Sequence, residues 1–322
     1  MLSEPKEWGD SGGMRLRGII PPVVTPLSGR DELDHAGLER LIRRLLEGGV
    51  HGLFILGTTG EAPGLSDRLK RAVIERTCAQ VAGQVPVVVG ITHTIAGESL
   101  WLARYAAEAG ASGVVAAPPY YFPLGQEELF RFFARLGAES PLPLTLYNIP
   151  SHTRVAIEPE TVRRAMEIPG IVGLKDSSGD RIYFHRVKML ARERRNFSLL
   201  AGSEELLGEA VLLGADGGVC GGANLFPRLY VALYEAARAG DRDRVIALQE
   251  AVMMIHEALY RIGERGSATL KAIKCALALE GVCHDLMAEP LLPFTAEQRA
   301  LVAQRLPEIR RRLETISNPK KS

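Results

Sequence analysis

Short apolar, β-branched runs alternate with amphipathic stretches over residues 17–240, and that alternation predicts repeated βα units. Strands are expected at 18–24, 52–57, 86–91, 113–118, 143–148, 171–175, 197–201 and 217–221. These runs are almost continuously apolar, as in PVVVGI at 86–91, which suits parallel strands buried on both faces. The first helical segment places Leu38, Leu41, Ile42, Leu45 and Leu46 on one face, and Gly48-Gly49 ends it. Similar segments cover about 66–82, 97–109, 126–139, 158–167, 180–194, 204–213 and 226–238. Eight such units predict an α/β fold of the (β/α)8 TIM-barrel type. A doubly wound open sheet competes, but no G-x-G-x-x-G follows the first strand. Beyond residue 240 the strand pattern ends, and Val245, Leu248, Val252, Ile255 and Leu259, then Val302, Leu306, Ile309, Leu313 and Ile316, recur at helical spacing. The organisation expected is an N-terminal extension at 1–16, a barrel at 17–240 and a C-terminal helical region at 241–322.

Composition narrows the function classes. In 322 residues, 46% are hydrophobic and 24% charged, so a large globular core can form. The net charge is +1 and neither sign is gathered into a long block, the Lys320-Lys321 tail being short, so nucleic-acid and membrane partners are not expected. Acidic residues stand near the N-terminus where a signal peptide needs an apolar run, and no later stretch reaches about 18 apolar residues, which points to the cytoplasm. Four cysteines without a C-x-x-C pair read as reduced thiols. Seven dispersed histidines form neither H-x-H nor H-E-x-x-H, so no metal site is expected.

Among 31 arginines and 8 lysines, Lys175 stands apart, because it closes the apolar run Ile171-Val172-Gly173-Leu174 while the other seven lie in polar segments, amphipathic helices or the termini. Its amine should project from the end of the sixth strand, at the face where barrel active sites form. A partly desolvated lysine has a lowered pKa and can attack a ketone to form a Schiff base, which the permanently charged arginine cannot do. A strand-end lysine can equally snorkel to solvent or pair with Asp176. Tyr147 closes the fifth strand at the same rim and offers a phenol for proton transfer, or simply a packed ring. Gly57-Thr58-Thr59-Gly60-Glu61 follows the second strand; such a turn can hold a carboxylate on hydroxyls and N–H groups, although its composition is also that of an ordinary turn.

GTTGE at 57–61, PYY at 119–121, YNIPS at 147–151 and GLKDSSG at 173–179, in that order, resemble the dihydrodipicolinate synthase and N-acetylneuraminate lyase superfamily; GGANLFP at 221–227 is similar to its eighth-strand loop. The resemblance covers about residues 17–295. It implies a class I, metal-independent enzyme without a cofactor, binding pyruvate or another 2-oxo acid as a Schiff base on Lys175. It further implies Tyr147 as proton shuttle, Thr58 and Thr59 as holders of the carboxylate and the tyrosine, and Tyr121 as a phenol reached across a dimer interface in a homodimer or homotetramer. Gly57, Gly60, His152, Arg154, Gly202, Ser203, Val219 and Gly221 are the candidate substrate-binding positions.

One departure bears on the substrate. Dihydrodipicolinate synthases carry an arginine two residues after the proline of YN-x-P, gripping the carboxylate of aspartate semialdehyde, and here that position is His152. A neutral imidazole lacks the bidentate fork. Arg154 stands where the family usually has glycine; it either replaces the fork, sharing a side with His152 if the segment is extended, or is a surface charge. The leading expectation is a lyase or aldolase of pyruvate-derived 2-oxo acids, such as 2-keto-3-deoxy sugar acids, with an aldehyde as second substrate or product. Dihydrodipicolinate synthase, a 2-oxo acid dehydratase and a non-catalytic 2-oxo acid sensor are the alternatives.

Overall fold

The structure is a computed structural model and describes residues 14–194, 196–263 and 266–317. Most of the expected extension, residues 1–13, lies outside the described residues. The chain begins with β1 (Gly18–Ile19), a hairpin of β2 (Leu27–Gly29) and β3 (Glu32–Leu33), α1 (His35–Glu47), β4 (Leu53–Ile55), α2 (Asp67–Val81), β5 (Val87–Gly90), α3 (Ala96–Glu108), β6 (Gly113–Ala116) and α4 (Gln126–Glu139). It continues with β7 (Leu144–Asn148), a single turn α5 (Pro150–Thr153), α6 (Pro159–Ala165), β8 (Ile171–Asp176), α7 (Arg181–Ala191), β9 (Ser198–Ala201), α8 (Leu207–Leu212), β10 (Gly217–Gly218) and α9 (Pro227–Ala239). The C-terminal region is α10 (Arg242–Ile255), a π-helical turn at His256–Tyr260, α11 (Ala268–Leu279) and α12 (Ala296–Ser317).

All strands but the hairpin form one parallel sheet in the order β1-β10-β9-β8-β7-β6-β5-β4. It closes because the segment after β1 pairs with β4: Phe54 donates to Pro21 O at 2.9 Å, and Val23 donates to Phe54 O at 2.8 Å. The expected TIM barrel is therefore present, with its helices outside. The first strand is shorter than 18–24 because Pro21 and Pro22 have no N–H for the ladder.

Strand alternation divides the apolar residues into two cores. Ile20, Phe54, Val88, Val115 and Leu200 fill the barrel, and Leu16, assigned by its sequence to the extension, packs with them. The outer core lies between strands and helices; Leu38, Leu41, Ile42 and Leu45 of α1 are buried there as the periodicity requires. Asp34 caps that helix by accepting from the Gly37 N–H at 2.7 Å, and Ser66 and Asp180 cap α2 and α7 in the same way. All four cysteines are buried and unpaired. No helix among the described residues is long and apolar enough to cross a membrane.

Candidate active site

Adjacent strands β7 and β8 carry the two principal side chains in register, with Tyr147 opposite Lys175. Both point into the barrel, where Lys175 is 5% exposed and Tyr147 equally covered. Lys175 Nζ lies 3.9 Å from the Tyr147 ring centre and 5.2 Å from that of Phe54. Among the described residues no carboxylate lies within ion-pairing distance of it. Asp176 is not its partner, because the next residue of a strand faces the other way. Instead Asp176 accepts from Asn148 Nδ2 at 2.9 Å and from Ser178, while Asn148 Oδ1 accepts from the Ile157 N–H at 3.0 Å. This outward bracket ties β7 to β8 directly behind the amine and the phenol.

Burial pushes the Tyr147 hydroxyl toward its neutral form, yet the Lys175 charge and hydrogen bonds with Thr58, Lys175 and Ser177 outweigh it, leaving its pKa below the ordinary value. Gly202 leaves room for the lysine: a Cβ there would lie 1.9 Å from Ser177 Oγ and 3.0 Å from Lys175 Cε.

The turn after β4 brings Thr58 and Thr59 to the same cavity. Glu61 N–H closes it onto Thr58 O at 3.0 Å, and Thr25 Oγ1 donates to Gly60 O at 2.7 Å, so the amides of Thr58 and Thr59 take no part in these bonds. Gly57 and Gly60 are buried in the turn and shape it without lining the cavity. Glu61 is buried against Lys274 of α11 at 2.6 Å. Lys274 thus corrects the sequence reading: it is wholly buried, more so than Lys175, because a carboxylate accompanies it.

The cavity holds about 720 Å³, the size of a small-molecule site. Its lining includes Thr58, Thr59, Tyr147, His152, Lys175, Gly202, Val219 and Gly221 from the expected positions. Partial desolvation and the Lys175 charge hold His152 below the usual histidine value, hence neutral at pH 7; Nδ1 is 3.0 Å from Ser151 Oγ. The segment carrying it is not extended, because Pro150–Thr153 winds into one helical turn, so His152 and Arg154 do not share a side in the expected way. Arg154 caps that turn in the left-handed region at φ 60°, exposed and away from the cavity wall. Ser203 faces a separate crevice beside α7 and α8. Tyr121 is 76% exposed, beside the exposed Phe122, and does not reach the cavity of its own chain.

Further lining residues escaped the sequence reading, among them Ser177, Glu204, Glu205 and Tyr260. Burial pushes Glu204 up to about 7, against hydrogen bonds from the Gly222 N–H and the Tyr230 hydroxyl, each 2.8 Å long. The signal available was position, since the pair directly follows the Gly202-Ser203 loop at the end of a barrel strand. Tyr260 comes from the π-helical turn of the C-terminal region and had no such signal. Among the described residues no group of three His, Cys, Asp or Glu side chains converges to hold a metal.

The model of the dihydrodipicolinate synthetase family matches residues 15–309. The chain belongs to this family. A 4-hydroxy-tetrahydrodipicolinate synthase of Methanopyrus kandleri is 34% identical over 301 residues, covering 92% of this chain and 97% of its own. A dihydrodipicolinate synthase of Bacteroides thetaiotaomicron superposes with a TM-score of 0.89 at 49% identity, over 92% of this chain and 100% of that one. A prophage protein of the family from Escherichia coli K12, solved in complex with pyruvate, superposes at 0.85 with 29% identity, over 92% and 99%. This dihydrodipicolinate synthetase family protein is therefore a pyruvate-dependent class I lyase, from a family that uses a lysine Schiff base without a metal or cofactor.

Proposed function

We propose that this protein cleaves 2-keto-3-deoxy sugar acids, or closely related hydroxy-oxo acids, to pyruvate and an aldehyde through a Schiff base on Lys175. One observation carries the choice of substrate. Beside the Lys175–Tyr147 pair the cavity presents Glu205 and a neutral His152, with no guanidinium among the described residues that line it, while both oxygens of Glu204 are taken by the Gly222 N–H and the Tyr230 hydroxyl. Carboxylates accept hydrogen bonds from hydroxyl groups and repel a second carboxylate, so the wall suits a polyol tail better than aspartate semialdehyde.

In this reading Lys175 gives up its proton and its amine adds to the C2 carbonyl, and Tyr147 relays protons so that the carbinolamine loses water and leaves an iminium. The Thr58 hydroxyl bonds the tyrosine, and the amides of Thr58 and Thr59 with the Thr59 hydroxyl hold the C1 carboxylate. The C3–C4 bond then breaks, its electron pair passing into the iminium as an enamine while the C4 hydroxyl gives up its proton and becomes the aldehyde. Protonation at C3 and hydrolysis release pyruvate. The exposed Tyr121 acts from a second copy of the chain, in a homodimer or a tetramer built from it.

A second reading, 4-hydroxy-tetrahydrodipicolinate synthase, is supported by the activities for which the Methanopyrus and Bacteroides relatives are named. Two coupled assays separate the readings: pyruvate release from a panel of 2-keto-3-deoxy acids, and condensation of pyruvate with aspartate semialdehyde. We expect release from a panel member and condensation weaker by about one to two orders of magnitude, the cost of a missing bidentate carboxylate partner. Efficient condensation without release would overturn the proposal; water loss with carbon–carbon bonds intact would redirect it to a dehydratase.

A further inference from the structure

The chemistry above gives no role to the buried pair of Glu61 and Lys274, whose side chains are 1% and 0% exposed. A buried ion pair is weak evidence for stability, because desolvation offsets much of the attraction. Its location says more. Glu61 ends the turn that carries Thr58 and Thr59, with its backbone at φ 58°, and Leu56 enters the same turn at φ 56°. Residues with a Cβ occupy this left-handed region only where their surroundings hold them. Leu56 is held because its carbonyl packs where Gly90 has no side chain; a Cβ there would come within 2.0 Å of it. Glu61 is held through both oxygens: Oε1 takes Lys274 at 2.6 Å and Oε2 takes the Ala288 N–H at 2.7 Å. Ala288 begins the 288–291 lip of the cavity, and Ile273, the neighbour of Lys274, lines it from α11. A single carboxylate thus joins the turn, α11 and the lip.

We propose that Glu61 and Lys274 are positioning residues, clamping the turn so that Thr58 meets the Tyr147 hydroxyl and the Thr58 and Thr59 amides face the 2-oxo acid. The proposal rests on the Lys175–Tyr147 reading of the site. It is tested with Lys274→Met, Lys274→Arg and the double variant Glu61→Gln/Lys274→Met, which removes both charges while the side-chain amide oxygen now at position 61 still accepts from the Ala288 N–H. Ile309→Ala, a buried α12 position away from the cavity, controls for lost stability alone. Pyruvate concentration dependence of borohydride trapping and thermal unfolding are measured for each, with trapping read below each unfolding temperature.

The double variant should unfold close to wild type yet need about tenfold to a hundredfold more pyruvate for half-maximal trapping, the scale of displacing a binding group by about an ångström. Lys274→Met alone, which leaves the Glu61 carboxylate buried without its cation, should show at least that loss together with a lower unfolding temperature. Lys274→Arg, which keeps the charge, should fall between wild type and the double variant, and Ile309→Ala should saturate like wild type. Wild-type saturation in the double variant would overturn the clamp, as would an equal loss in Ile309→Ala. A wild type that is not trapped at Lys175 would instead overturn the chemistry, so the two failures are distinct.

Discussion

Tyr147 shows how one side chain is tuned by three neighbours. Burial alone would make its phenol a poorer acid, and the Lys175 charge together with Thr58 and Ser177 reverses that balance. Tyr147→Phe removes the proton relay and keeps the ring, so turnover should fall about 10²–10⁴-fold with the fold intact; a change under about threefold in steady-state kinetics would reduce Tyr147 to packing. Glu204 is tuned the other way. Its folded value of about 7 lies above that of an exposed glutamate, so the folded state holds the extra proton as pH rises through the window between them. Stability should therefore be greatest below about pH 4.5 as far as this group is concerned, and fall by up to about 3 kcal/mol as pH rises to 7. Glu204→Gln should flatten that slope in denaturant unfolding at pH 5 and 8, and an unchanged slope would contradict the assignment. Lys175 was legible in sequence because an ionisable residue ends an apolar strand. Lys274 was not, because the carboxylate that makes its burial tolerable lies 213 residues away and helical spacing cannot report it.

Strands β7 and β8 hold the reacting pair through their outward faces. Asn148 is wholly buried and bonds both Asp176 and the Ile157 N–H, so Asn148→Leu strands the buried Ile157 N–H and takes one donor from Asp176, which keeps those of Ser178. Stability should drop by about 1–3 kcal/mol, seen as a lower denaturant midpoint with an unchanged slope; a loss below about 0.5 kcal/mol would show that the register is fixed elsewhere. The βα elements were legible because eight apolar runs and helical faces repeat over the barrel. Short elements lack such periodicity: the β2–β3 hairpin pairs only a few residues, and the single turn α5 is started by Pro150 and closed by Arg154 at positive φ. That dihedral is one that glycine adopts without strain. Within the expected helical region the bounds of α11 were not legible, because apolar residues surround Lys274 on nearly every side and leave no polar stripe to mark its period.

At the scale of the whole molecule, the C-terminal helices are part of the site, since Tyr260, Ile273 and the 288–291 lip close the cavity over the barrel. The division of the chain at residue 240 thus follows the pattern of strands and not the boundary of the cavity. Tyr120, Tyr121 and Phe122 form an exposed aromatic group at 40%, 76% and 70% exposure, the kind of patch that a second copy covers. If Tyr121 acts across that contact, turnover should fall on dilution to monomers and in Tyr121→Phe alike; full activity in a monomer verified by sedimentation would exclude the role.

The identity of the nucleophile decides the mechanism. Borohydride reduction in the presence of pyruvate, followed by peptide mass spectrometry, should place the adduct on the peptide containing Lys175 and on no other lysine, and Lys175→Arg should remain unlabelled and inactive. An adduct at a different lysine, or activity retained in Lys175→Arg, would contradict it.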